Sequence, residues 1–408
     1  MTVTLLSPNR WRQASLYGMF VLWAGLVFSS ALVEIFFVIS CILWLISKFR
    51  EPSLRLLKDR SLMLPLFLFL AFSMLSILWS EYPDRSFRGI FKVLQQVVIF
   101  IMVADLFSEP KERLHFERFF LIFFVLLVVD GFFQYTFGKD FIRGFVAQGS
   151  MAGRRVSACF KTYTLFGNHL VCVLPFLLAL GLRWRNIDRK WNDWYVALPA
   201  VVAGVVLLFL TRSRGAILAL ILGLAAYLIY KKRFAILGFL FVSLVGLIVI
   251  LPSSMVVHLD GWNKEQSIVE RYYLWDRALQ VIKAKPLGGT GINTYASAHA
   301  HYDQRHNWRV QNYYAHNGYL QMAAEVGLPT LLFFLWFLFN YFRRSILYKR
   351  DQATPGQKLV ITGLLLGLVN FLIFSAVDTM FHSPQAVMTF WFLLGLQIAY
   401  QTEDVNAL

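Results

Sequence analysis

Leu16–Ile46 reads LYGMFVLWAGLVFSSALVEIFFVISCILWLI. A membrane helix needs about 20 apolar residues. This run of 31 is too long for one span and short for two full ones. Glu34 lies near its middle, so the run reads as a tight hairpin of two short helices with Glu34 near the turn. The choice matters downstream, because one span or two at this point decides on which side of a membrane every later loop falls.

Composition points to a membrane as well. Of 408 residues, 58% are hydrophobic and only 15% charged, and the mean hydropathy is +0.58. A soluble domain carries roughly a quarter charged residues. The apolar runs are too long and unbroken for a β-barrel, whose strands alternate over about ten residues. The expected fold is therefore all-α and polytopic, with about twelve transmembrane helices. After the hairpin, spans are expected at about 61–79, 89–106, 116–137, 162–183, 192–211, 214–231 and 233–252. Three more are expected at 317–342, 357–376 and 385–401. No cleavable signal peptide is evident; Asn9–Gln13 reads as a short basic lead into the first span.

Charge fits this map. Lys48, Arg50, Arg55, Lys58 and Arg60 fill one loop, and Arg183, Arg185, Arg189 and Lys190 another. Lys231–Arg233 and Arg343, Arg344, Lys349 and Arg350 follow. With the hairpin, all of them face the cytoplasm and both termini lie inside. Most of the net charge of +16 sits in these loops, which accounts for it without nucleic acid. Three cysteines, Cys41, Cys159 and Cys172, give no disulfide framework.

One polar stretch breaks the pattern. It runs from about Pro252 to Asn312 and leads into Ala315-His316-Asn317-Gly318-Tyr319-Leu320. The chain reads as one membrane domain, 1–408, with 253–312 as an outward cap loop between the ninth and tenth spans. Within the cap, Ser267–Ala284 has helical spacing of apolar residues, and Pro286-Leu287-Gly288-Gly289 ends it.

On this map several arginines fall on the outward side, where the positive-inside rule disfavours them. Arg88 opens the fourth span, Arg212 and Arg214 form the corner before the eighth, and Arg271 lies on the cap helix. A guanidinium offers a planar fork of donors that matches phosphate oxygens, so these residues are candidate ligands for a lipid diphosphate. The alternatives are snorkelling to headgroups, or pairing with Asp84, Glu270 or Asp276. His316 stands where the cap re-enters the membrane and is the candidate proton acceptor; the alternative is a structural or capping histidine. His299, His301 and His306 lack the spacing and acidic partners of a metal site, and the outer loops carry no Asp-x-Asp. No metal and no cofactor is expected. The many Trp and Tyr of the cap suit either a glycan groove or an interfacial belt.

With these residues in place, the chain resembles the bacterial O-antigen ligase and polysaccharide polymerase superfamily, which includes the Wzy-type and exopolysaccharide polymerases. The segments that carry the resemblance are Trp79–Gly89, Thr211–Leu218, Glu270–Tyr295 and Ala315–Leu328. Trp79-Ser80-Glu81-Tyr82-Pro83 and His316-Asn317-Gly318-Tyr319-Leu320 are similar to exopolysaccharide polymerases in particular. The resemblance implies a glycosyltransferase C-type fold in the bacterial inner membrane, with the cap and the active site facing the periplasm. It implies metal-independent, inverting transfer of an undecaprenyl diphosphate-linked glycan. The acceptor would be lipid A-core for a ligase, or a lipid-linked repeat unit for a polymerase. By the same resemblance His316 is catalytic, while Arg214 and Arg271 hold the diphosphate, assisted by Arg88, with Arg212 as a possible addition. The other class weighed is a transporter or flippase of lipid-linked saccharides, for which an intramembrane charge such as Asp130 would speak.

Overall fold

The computed structural model describes residues 8–50, 55–149, 153–188, 193–239, 266–302 and 313–401. Their regular structure is helical, apart from two isolated β-bridges in the 139–155 loop. The apolar run that opens the chain is a hairpin. Helix α1 (Pro8–Phe28) turns at Ser29 into α2 (Ser30–Arg50), and the two pack along their length. Glu34 lies in the first turns of α2, where its carboxylate accepts from Gln95 Nε2 at 2.9 Å. Both helices extend beyond the apolar run because their polar ends find partners. Arg12 Nη2 reaches Glu112 at 2.9 Å, and Lys48 Nζ reaches Asp105 at 2.7 Å.

Then follow α3 (Arg60–Leu75), α4 (Pro83–Leu106), α5 (Pro110–Phe137), α6 (Tyr163–Arg183), α7 (Trp194–Leu210) and α8 (Arg214–Tyr230). Helix α9 (Gln266–Ala284) is the expected cap helix. Helices α10 (Gly318–Asp351), α11 (Pro355–Ser375) and α12 (Pro384–Ala399) close the chain. Among the described residues six helices are long and apolar enough to cross a membrane, and three shorter ones, α7, α8 and α12, are apolar too. The chain therefore has the build of a multi-pass membrane protein. The expected ninth span lies largely outside the described residues, as do His258, His306 and the two flanks of the cap.

Helix α5 begins at Pro110, six residues earlier than hydropathy alone places it. Its first turns are charged but paired. Arg113 donates to Ser108 O at 2.7 Å and Ala399 O at 2.8 Å, and Glu117 takes Arg183 Nη1 at 2.9 Å. These pairs lie at one end of the bundle, the end that the charge pattern assigns to the cytoplasm.

The core is aromatic. Trp23 is fully buried against Phe116, Phe120 and Phe392, the last with ring centroids 4.7 Å apart. Helix α6 runs through the middle, with α7, α8, α11 and α12 around it. Asn370 Nδ2 on α11 donates to Val171 O of α6 at 2.8 Å, the interhelical hydrogen bond that a polar group among lipid-facing helices needs.

At the other end of the bundle the cap folds back. Trp79 Nε1 donates to Gly288 O at 2.8 Å, and Lys285 and His301 both bind Glu81. Loop 286–294 enters a break in α10. Leu328 N donates to Pro286 O, and Gly291 N to Glu325 O, each at 2.8 Å. The break is set by Gly327, at φ 81° and ψ 164°, a region open only to glycine. A Cβ there would stand 2.1 Å from Leu287 O.

Candidate active site

Three of the four segments singled out in the sequence meet here. Trp79–Gly89, the C-terminal part of Glu270–Tyr295 and Ala315–Leu328 are joined through the contacts just described. The fourth, Thr211–Leu218, adjoins from the far side. Gly215 has no side chain to hold α8 away from α11: a Cβ there would come within 2.5 Å of Phe374 and 3.4 Å of Val377. The Arg212–Arg214 corner is thereby set beside the last turn of α11 and the residue that follows Val377, Asp378.

Asp378 binds the candidate base. His316 Nδ1 lies 3.0 Å from Asp378 Oδ1, whose position is fixed in turn by Thr379 N at 2.7 Å. With the carboxylate ionised, Nδ1–H donates to it, and Nε2 keeps its lone pair as a proton acceptor. The histidine side chain is one-third exposed and the aspartate 13%, so the pair is partly dry yet reachable. His316 has a left-handed backbone, φ 48°, uncommon for a residue with a Cβ. Asn317 next to it caps α10, its Oδ1 accepting from Tyr319 N and Leu320 N, both at 3.0 Å. Capping in this motif falls to the asparagine, which leaves the histidine ring free for its other partner. Arg212 at the facing corner also has a left-handed backbone, φ 53°.

The cap helix reaches the same point. Trp275 Nε1 donates to His316 O at 3.4 Å, and Arg271 precedes Trp275 by one helical turn on the same face. Arg271 makes no hydrogen bond or ion pair among the described residues; neither does Arg88, which is exposed at the start of α4. Pairing with Asp84, Glu270 or Asp276 therefore does not account for these two. The contrast with the opposite end of the bundle, where Arg12, Lys48, Arg113 and Arg183 are all engaged, is direct. Gly89, next to Arg88, lies against Asn293 and Ile292 and lines the same cleft as Gly318 at the start of α10.

The two other described histidines of the cap find local partners. His299 is buried and stacks on Tyr295 with centroids 5.1 Å apart, and His301 Nδ1 lies 3.2 Å from Glu81 Oε2 and stacks on Tyr82. The Lys285 hydrogen bond, with His301 in support, holds the Glu81 carboxyl below its ordinary value. Among the described residues no three His, Cys, Asp or Glu side chains are grouped as a metal site would need. Asp130, the intramembrane charge that favoured a transporter, is fully buried and accepts from Phe141 N at 3.0 Å. It braces the loop after α5.

Sequence reasoning missed Asp378 and the pair His382–Glu325, in which Nε2 and Oε1 are 3.1 Å apart. A signal was present for the first, a lone acid in the short apolar outward corner 377–384.

Comparison with known proteins agrees with the segments that build the site. Residues 199–335 match the family described as O-Antigen ligase. That range takes in the Arg214 corner, the cap helix with Arg271, and His316. The chain is also 20% identical over 313 residues to the exopolysaccharide production protein ExoQ of Rhizobium meliloti (strain 1021), covering 73% of this chain and 69% of that protein. Over residues 199–335 the chain is thus similar to the O-Antigen ligase family, and more broadly to this exopolysaccharide production protein.

Proposed function

We propose that the protein is a metal-independent, inverting glycosyltransferase of the inner membrane. It moves a glycan from an undecaprenyl diphosphate carrier to a hydroxyl acceptor at the periplasmic face. The observation that carries this reading is the His316–Asp378 pair set beside an arginine corner and an arginine-bearing cap helix.

The chemistry follows from the residues. The acceptor hydroxyl is a poor nucleophile until its proton has somewhere to go. His316 Nε2 takes that proton as the oxygen attacks the anomeric carbon. The imidazolium that forms is stabilised by Asp378, which also fixes the ring and its tautomer. The glycosidic bond to the carrier breaks with inversion, and its electron pair leaves on the diphosphate. Arg214 and Arg271 meet that growing charge with bidentate forks, and the amino-terminal ends of α8 and α10 add their dipoles. No proton has to be delivered to a diphosphate leaving group, so one histidine suffices.

The named relative is an exopolysaccharide production protein, which favours a polymerase that joins lipid-linked repeats over a ligase that loads lipid A-core. Purified protein, given a lipid diphosphate-linked oligosaccharide in the presence of EDTA, is expected to lengthen it at the untreated rate. Failure of any transfer, or a loss reversed by one divalent ion, would sink the reading. The sidedness is tested separately. Tyr272 is 65% exposed on the cap helix. Tyr272→Cys, in a background without Cys41, Cys159 and Cys172, should be labelled by an impermeant thiol reagent in intact spheroplasts. Labelling only after lysis would put the cap in the cytoplasm.

A further inference from the structure

A cleft of about 900 Å³, counted with its open mouth, lies between α2, α3, α4, α10 and α12, and its lining includes no residue of α8 or α11. Its wall is mostly apolar, built from Phe69, Val93, Phe334, Val387, Met388 and Trp391. Lys92 and His382 lie in the same wall with Gly318, only two residues from His316. Glu325 is spoken for, accepting from Asn293 N, Tyr295 N and Gln321 Nε2 as well as contacting His382. Glu34 takes the Gln95 amide. Lys92 has neither hydrogen bond nor ion pair among the described residues, although Glu34 lines the same cleft. One turn earlier on the same face of α4 stands Arg88, equally without a partner there.

We propose that this cleft seats the lipid anchor of the acceptor: a hydrocarbon chain along the apolar wall, with its phosphate at Lys92 and Arg88. Two cations that make no ion pair among the described residues, beside an apolar, partly open channel, match an amphiphile with an anionic head. The placement also meets a demand of inversion. The acceptor oxygen must arrive on the face of the sugar opposite the departing diphosphate. Two lipid substrates therefore reach His316 from two flanks. The Arg214 corner occupies the flank made by Phe374 and Val377, and the cleft is the other. Arg88 accordingly serves the acceptor, and the donor keeps Arg214 and Arg271.

The inference rests on the transferase reading, so the test has a binding arm and a kinetic arm. The binding probe is a polyprenyl diphosphate with a photoreactive diazirine on its chain, added to purified protein in nanodiscs. Crosslinked peptides are expected to include the Val387–Trp391 stretch, and an uncharged polyprenol carrying the same group should label it at least tenfold less. Lys92→Gln, an exposed substitution with no fold to disturb, and Met388→Trp, which fills the cleft, should each reduce that label tenfold. Labelling near Arg271 should be unchanged. In transfer assays the same variants should raise the acceptor KM about tenfold and leave the donor KM unchanged. Cleft labelling in a wild-type protein that transfers nothing would overturn the enzyme reading and keep the lipid site. Normal transfer with no cleft labelling, or with a raised donor KM in Lys92→Gln, would overturn the lipid site alone.

Discussion

His316→Ala is expected to lower turnover by about 10² or more, the range for loss of a general base, while crosslinking to a lipid diphosphate donor persists. The substitution removes a proton acceptor and leaves the proposed phosphate ligands Arg214 and Arg271 in place. It does not remove the cap of α10, because Asn317 Oδ1 performs that role. A fall in turnover therefore cannot be charged to a frayed helix. Asp378→Asn should give a smaller loss, since the ring stays but its carboxylate partner is gone. If His316→Ala turns over normally, the proposed base is wrong. A structural pair would lose folded protein in both variants.

Most of the framework could be read in the sequence because a bilayer simplifies the problem. Each span must satisfy its own backbone and be apolar along its length, so hydropathy finds it. The hairpin was legible from a run of 31 residues, too long for one crossing, with Glu34 near its middle, although the turn falls at Ser29, five residues before Glu34. The starts of α1 and α5 were not, because Arg12, Glu112, Arg113 and Glu117 look like loop residues until their partners are known. The candidate site divides in the same way. His316 and the arginines stood out by their place at span ends and on the cap helix, on the side that the charge pattern assigns to the outside. Asp378 and the cleft between α4 and α12 depend on helix ends 60 residues or more apart in sequence, and no local pattern records them. Asn317 illustrates a further gap. Position alone leaves His316 or Asn317 as the cap, and the folded chain shows that the asparagine side chain reaches the free N–H groups.

Arg271→Lys and Arg214→Lys should each reduce donor crosslinking and turnover together, by roughly 10- to 100-fold, the worth of one to two charge-assisted hydrogen bonds. Lysine keeps the charge but offers a point in place of a fork. A residue that only tunes the surface potential would therefore tolerate the change, and one that grips two phosphate oxygens would not. Arg271 gives the cleaner experiment. It has no partner among the described residues, so its replacement breaks no described contact of the protein with itself. Its link to the reaction centre runs through Trp275, whose indole donates to His316 O. Trp275→Phe should accordingly impair turnover without matching the binding defect of Arg271→Lys, since it loosens the cap from His316 and leaves the guanidinium in place. Donor binding that survives both lysine variants intact would remove the diphosphate from this flank of α10. Loss of binding in Arg271→Lys, with retention in His316→Ala, would separate the group that holds the leaving diphosphate from the group that accepts the proton.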